Sequence, residues 1–256
     1  MRLRQDQLLP FLFIYSYAIY YQYEPFKRIT FNFSNYVSMK IRLIIFAVIS
    51  FFTISCVHSQ NCVEGINKLP MYGNIKKCKD QIEYDQVFLA DCDKTFKSRK
   101  EAAAHMVMRG WQYFYVKKLD TSMMRFNQAW LLDSLNSEIY WGFGNLMGTQ
   151  EKFKESIPFF EKSIKLNPNN PKVWQDISVS YGNIFVKSND IKYLTASIGA
   201  LKKAINLDPK NPQFYGALTA AYTYFIQKDS AKKYLKITEQ LDPNVVNPDV
   251  KKMLNQ

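Results

Sequence analysis

KLNPNNPKVW, Lys165 to Trp174, and NLDPKNPQFY, Asn206 to Tyr215, spell the same message forty-one residues apart. In each, a leucine and a polar residue lead to a proline, which cannot continue a helix. An Asn-Pro pair follows: asparagine caps the free amides of a helix start, and proline at the first helical position loses nothing by lacking an N–H. Each stretch is a helix end followed at once by a helix start. A third version, QLDPNVVNPDV, begins at Gln240, and a fainter one, LLDSLNSEIY, at Leu131.

Setting Ser134, Pro168, Pro209 and Pro243 equivalent divides the chain from 102 to 245 into units 103–136, 137–170, 171–211 and 212–245. The other columns then agree. Two residues before each stop stand Leu132, Leu166, Leu207 and Leu241; five before stand Ala129, Ser163, Ala204 and Thr238; twelve before stand Ser122, Ser156, Ser197 and Ala231. Earlier in each unit Gly110, Gly144, Ser178 and Thr219 share a column. Four residues ahead of it lie Met106, Tyr140, Trp174 and Tyr215, and three behind it Tyr113, Met147, Tyr181 and Tyr222. Small residues at matched positions let two antiparallel helices approach closely, and large neighbours fill the space beside them. A repeat of this period is the signature of a stacked helix-pair solenoid. Unit three is longer by seven residues, expected around Ile184 to Leu194 as a longer first helix and the loop KSND.

The flanks read as caps. From Asn74 to Phe96 the apolar Ile75, Cys78, Ile82, Leu89, Cys92 and Phe96 recur at helical spacing, predicting one helix over about 74–96 in a capping segment 60–101. Ser98 to Glu101, SRKE, reads as a capping box before unit one. At the other end Pro248 to Leu254, within 246–256, is long enough for a short covering helix.

The pattern resembles the tetratricopeptide repeat family, on the strength of Trp174 and Tyr215, Gly110 and Gly144, Tyr113, Tyr181 and Tyr222, Ala129 and Ala204, and Pro168, Pro209 and Pro243. The resemblance implies an all-α, right-handed solenoid of four helix-turn-helix repeats that binds a protein or peptide in a concave groove. It places Val107, Trp111, Phe114 and Tyr115 in that groove from repeat one, and Glu138, Trp141, Asn145 and Thr149 from repeat two. Repeat three supplies Lys172, Gln175, Val179 and Asn183; repeat four supplies Gln213, Gly216, Ala220 and Tyr224. The groove reading expects Trp141→Ala to spare stability and weaken binding. Val107 and Trp111 stand where some family members carry the Lys and Asn of a carboxylate clamp, so that activity is not implied.

Little else in the sequence carries chemistry. The net charge is +12, but the lysines are interspersed with acids and form no nucleic-acid stripe. The two histidines, His58 and His105, join no metal-ligand cluster, and His105 is expected inside a packed helix. No nucleophile elbow, phosphate loop or zincin motif is present, so neither an enzyme nor a cofactor is expected. Glu161 and Asp176 read as solvated surface acids. Trp111, Tyr115 and Trp141 could alternatively stack on sugar rings, making a carbohydrate or peptidoglycan binder; a structural subunit of an outer-membrane or surface assembly is the other alternative.

Export is legible upstream. Met39 opens MKIRLIIFAVISFFTISCVHSQ, in which Lys40 and Arg42 precede a ten-residue stretch, Leu43 to Phe52, apolar but for Ser50 and too short to span a bilayer. Residues 39–59 therefore read as a signal peptide, and 1–38 as an upstream artefact or extension. The mature protein is expected in the periplasm or outer membrane of a bacterium, without a transmembrane helix. TISC offers Cys56 as a candidate lipid-anchor site, and Val57 and Ser59 offer ordinary cleavage before Gln60. An oxidising compartment suits a disulfide, and Cys62 with Cys78 closes the shorter loop. Mass spectrometry of the native protein should find Cys56 (lipidated) or Gln60 at the N-terminus; peptides from 1–38 in the mature product would refute this processing.

Overall fold

The repeat punctuation is translated into hairpins. The computed structural model describes residues 62–224 and 227–255, and among them the only regular structure is helical. Two short 3-10 turns, Ile66–Lys68 and Pro70–Asn74, precede α1 (Lys79–Thr95). The array follows as α2 (Arg99–Tyr115), α3 (Leu119–Leu132), α4 (Ser137–Thr149), α5 (Phe153–Leu166), α6 (Pro171–Ser188), α7 (Ile191–Leu207), α8 (Pro212–Tyr224) and α9 (Lys228–Leu241), closed by α10 (Pro248–Leu254). Each odd-numbered helix of the array packs most extensively on the even-numbered one before it, and next on the hairpin that follows. This is the all-α repeat solenoid expected from the sequence. The signal segment, Cys56 and residues 1–38 lie outside the described residues, and none of the described helices is long and apolar enough to cross a membrane.

The boundaries are built twice over. Asn136, Asn170, Asn211 and Asn247 each accept from the amide two residues on, at 2.8 to 3.1 Å, capping α4, α6, α8 and α10. A second bond ties each new helix to the stop before it. Tyr140 donates its hydroxyl to the Ser134 carbonyl (2.8 Å), Trp174 its indole N–H to Pro168 (3.0 Å), and Tyr215 its hydroxyl to Pro209 (3.0 Å). At the last boundary Lys251 takes the ring's place and reaches the Pro243 carbonyl at 3.4 Å. At α2, Ser98 caps the Glu101 amide, while the Glu101 carboxylate reaches back to the amide of Lys97.

Small columns let the helices of a hairpin touch. Ser122 Oγ donates to the Gly110 carbonyl at 2.8 Å, and Ser197 Oγ to the Ser178 carbonyl at 2.9 Å, a bond possible only between closely packed helices. In repeat two Ser156 instead meets Ser180 of the next repeat at 2.8 Å. The fully buried Phe126 ring fills the space over two glycines, Gly110 of its own repeat and Gly142 of the next. Phe160 lies over Gly144 in the same way. At the C-terminal end Val250 and Leu254 of α10 are buried against Leu218, Tyr222 and Ala231, which closes the open end of the stack.

The structure departs locally from the sequence reading. Repeat three lengthens both its helices relative to repeat two: α6 has 18 residues against 13 in α4, and α7 has 17 against 14 in α5. Repeats one and two stop their first helices at the left-handed Lys117 (φ 61) and Glu151 (φ 58), but repeat three meets no such stop until Asn189 (φ 55), and Asp190 at once caps α7. The capping helix starts at Lys79, not near Asn74. Residues 71–74 turn in the left-handed region, and Cys78 takes the N-cap, its amide donating to Gln81 Oε1 at 3.2 Å. A Cys62–Cys78 disulfide, with Cα atoms 5.3 Å apart, and bonds from Asn127 Nδ2 to the carbonyls of Asn67 and Leu69 dock this segment on α3. Only the C-terminal half of α1 packs on the array: Phe88, Leu89, Cys92 and Phe96 meet Ala102, Ala103 and Leu132, while Ile82 stays 44% exposed. His105 is not packed inside its helix but exposed, its ring 5.4 Å from that of Phe96.

Gly142→Ala would drive a methyl group into the Phe126 ring, whereas a methyl at Gly148 meets nothing within 4 Å. Gly142→Ala is expected to destabilise by about 1–3 kcal/mol. Gly148→Ala is expected to stabilise by roughly 0.4–1 kcal/mol through the unfolded chain. Urea denaturation of the two variants checks both signs.

Candidate functional site

Neighbouring first helices touch one another, α2 with α4 and α4 with α6, while the second helices of successive repeats stay apart. The first helices therefore line the inner, concave side. Along it the residues expected from the sequence fall into three environments.

At the N-terminal end they form an aromatic cluster. The rings of Trp111 and Trp141 are 4.5 Å apart, and Trp111 also meets Phe114 (5.5 Å), Tyr115 (6.0 Å) and Phe126 (5.4 Å). Only Tyr115, 70% exposed, is fully open to solvent. Trp111 and Phe114 are half-buried against the repeat-one core, and Val107, at 7% exposure, is core outright because the helix turns it toward Met123 and Phe143. Gly216 is likewise buried, against Val245, and is no part of the groove.

The middle is organised by a residue that the sequence reading set aside. Asp176 is half-buried, and its Oδ2 accepts from the Trp141 indole N–H at 2.6 Å and from Asn145 Nδ2 at 2.9 Å. Asn145 Nδ2 also meets the Trp141 carbonyl at 3.1 Å, so two expected groove residues from repeat two are held by one acid from repeat three. Burial pushes the Asp176 carboxyl above its ordinary value, against the hydrogen bonds from Asn145 and Trp141 and the charge of Lys172. Glu138 is raised as well, again by burial, with Trp111, Lys172 and Asn170 opposing; Asn170 Nδ2 donates to it at 3.3 Å. Trp111 Nε1 is buried without a hydrogen bond of ordinary geometry, and this carboxylate is the acid it affects. Trp141 is thus part wall and part core: its removal would strip Asp176 of a donor, and the expectation that Trp141→Ala spares stability does not survive. A signal for Asp176 did exist. In its column the other repeats carry Met108, Gly142 and Ala217, none of them charged.

Toward the C-terminal end the first helices part. Between α6 and α8 lies a cleft of about 250 Å³ whose rim carries Val179 (51% exposed), Val186 (71%) and Tyr224 (52%), with Asn183 and Ala220 between them and Leu194 and Leu201 of α7 at its floor. Gln175, half-buried beside Asp176, contributes its carbonyl to Ser178 Oγ at 2.6 Å.

Comparison with known proteins agrees with this architecture. A family model described as tetratricopeptide repeat matches residues 137–170, the whole of repeat two, and supports the tetratricopeptide reading of the array. Among solved structures, the Cut9–Hcn1 hetero-tetramer of the APC/C shares the fold with a TM-score of 0.53 at 13% identity, over 69% of this chain and 34% of that one. A thermophilic tetratricopeptide protein of Thermus thermophilus gives 0.50 at 15% identity, over 59% of this chain and 79% of that one. No curated protein matches the sequence.

The half-buried acid has a stability signature. A carboxyl raised in the native state favours folding fully below its ordinary value, near 3.8, and loses that contribution as pH rises through the raised value. Asp176→Asn removes the charge and keeps an acceptor oxygen for Trp141 and Asn145. It should melt above the wild type at pH 7, with the gap closing as pH falls below the ordinary aspartate range. Thermal melts at both pH values check this, and a lower melting temperature at pH 7 would show that ionised Asp176 stabilises the fold.

Proposed function

We propose that the chain is an exported, non-enzymatic adaptor that holds an extended segment of a protein partner in its concave groove, within the cell envelope of a bacterium. Tetratricopeptide proteins generally mediate protein and peptide binding, and no catalytic family is indicated. The observation that carries the reading is the cleft between α6 and α8. Here the inner layer opens and leaves Val179, Val186 and Tyr224 half or more exposed around an apolar floor. Exposed apolar side chains gathered in one concavity mark an interaction site more than scattered ones do. The envelope location rests on the signal-like segment 39–59, and Cys56 is the proposed lipid-anchor site if the protein is tethered there. The disulfide-closed segment 62–78 fits an oxidising compartment.

A structural subunit held away from the groove is the competing reading, favoured by exposed Tyr84 and Val87 on the capping helix α1. Two truncations separate them, since neither side chain supports the core. Tyr224→Ala should weaken capture of the envelope partner by about 2 kcal/mol, the scale of an interface hot spot, while Tyr84→Ala leaves it unchanged. The reverse pattern, read by pull-down from envelope extract and titration of the recovered partner, would move the interface to the capping helix.

A further inference from the structure

The Asp176 carboxylate is only half used. Both its donors meet the same oxygen, Oδ2, and among the described residues Oδ1 receives no hydrogen bond. Asp176 also lines a cavity of about 230 Å³ between α4 and α6, together with Asn145, Gly148, Thr149, Phe153 and Val179. That is smaller than the roughly 300–1,000 Å³ typical of a whole small-molecule site, and suited to one side chain. Phe153, Gly148 and Val179 offer apolar surface to a methylene stem. The cavity lies at the C-terminal end of α4, where the helix dipole favours positive charge. Lys172, the cation felt by both Asp176 and Glu138, is exposed one turn back on α6 and makes no ion pair with Asp176 among the described residues.

We propose that this cavity receives a lysine or arginine side chain of the bound segment, with Asp176 Oδ1 as its acceptor. The inference rests on the groove reading above and gives its partner a chemistry: an extended peptide with a basic residue seated between α4 and α6, its neighbours running on toward the apolar cleft. Trp141 and Asn145 are positioning residues here, since they hold the carboxylate through Oδ2 and leave the other oxygen for the ligand. A part-buried carboxylate with one oxygen free gains a charge-assisted hydrogen bond from a cation that arrives with its own donors. Burial, which raises the Asp176 carboxyl, is the cost such a ligand offsets.

The test is selection of a phage-displayed random heptapeptide library on the full chain. Fluorescence anisotropy then measures a recovered peptide and its norleucine analogue against wild type, Asp176→Asn and Val179→Lys. Val179 is exposed at the mouth of both cavities, so a lysine there obstructs them without entering the core. The wild-type pool should fix one Lys or Arg, norleucine should weaken binding at least tenfold, and Asp176→Asn should bind both peptides alike. Peptides that bind wild type and Asp176→Asn equally but fail on Val179→Lys would overturn the basic-residue assignment and leave the groove standing. An empty selection, or binding indifferent to Val179→Lys, would overturn both.

Discussion

At each turn from one hairpin to the next, a ring early in the new helix donates back to the carbonyl of the residue that ended the old one. This bond, with the asparagine cap beside it, fixes where the new helix starts and how it is rotated. In a solenoid each repeat contacts only its neighbours, so a small set of boundary angles determines the whole shape. The close contacts behind the groove follow from it. Phe126 can lie across Gly110 and Gly142 only if α4 arrives at one rotation. Asp176 meets Trp141 and Asn145 only if α6 does the same.

How much of this was readable in the sequence depends on the range of the interaction. Caps, stops and small columns are local or recur at a fixed period, so Asn170, Pro168 and the Gly110 column could be read directly. The aromatic column at Tyr140, Trp174 and Tyr215 was visible too, but the spacing alone did not reveal its bond back to the stop. Groove membership was harder, because it depends on how far each helix is rolled against its neighbour. A pattern carried from repeat to repeat placed Val107 and Gly216 in the groove, but both are buried in the core. Asp176 was overlooked because an acid on a helix normally points to water, and only the facing donors of the preceding repeat make its burial tolerable. The late start of α1 was hidden for another reason: Asn74 to Cys78 has helical periodicity, yet a left-handed turn and a disulfide claim its backbone.

The inner surface is therefore graded along its length. The end nearest the N-terminus is a packed aromatic cluster, mostly withdrawn from solvent; the far end is parted and apolar at the rim. Between them sits Asp176, whose carboxyl is pushed above its ordinary value by burial. Under the proposed function, such a gradient suits a partner anchored at one point and accommodated loosely at others.

The longer hairpin of repeat three shows where this architecture can grow. α6 and α7 run in opposite directions, so lengthening both moves only their shared tip at Asn189 and Asp190 and leaves the boundary at Pro209 able to start α8 with its usual cap and ring bond. Length enters as paired turns at the tip, out of phase with nothing downstream. The tips thus form an edge of the molecule that can be extended, decorated or fused repeat by repeat while the stacking order stays fixed, and repeat three has already used that freedom once.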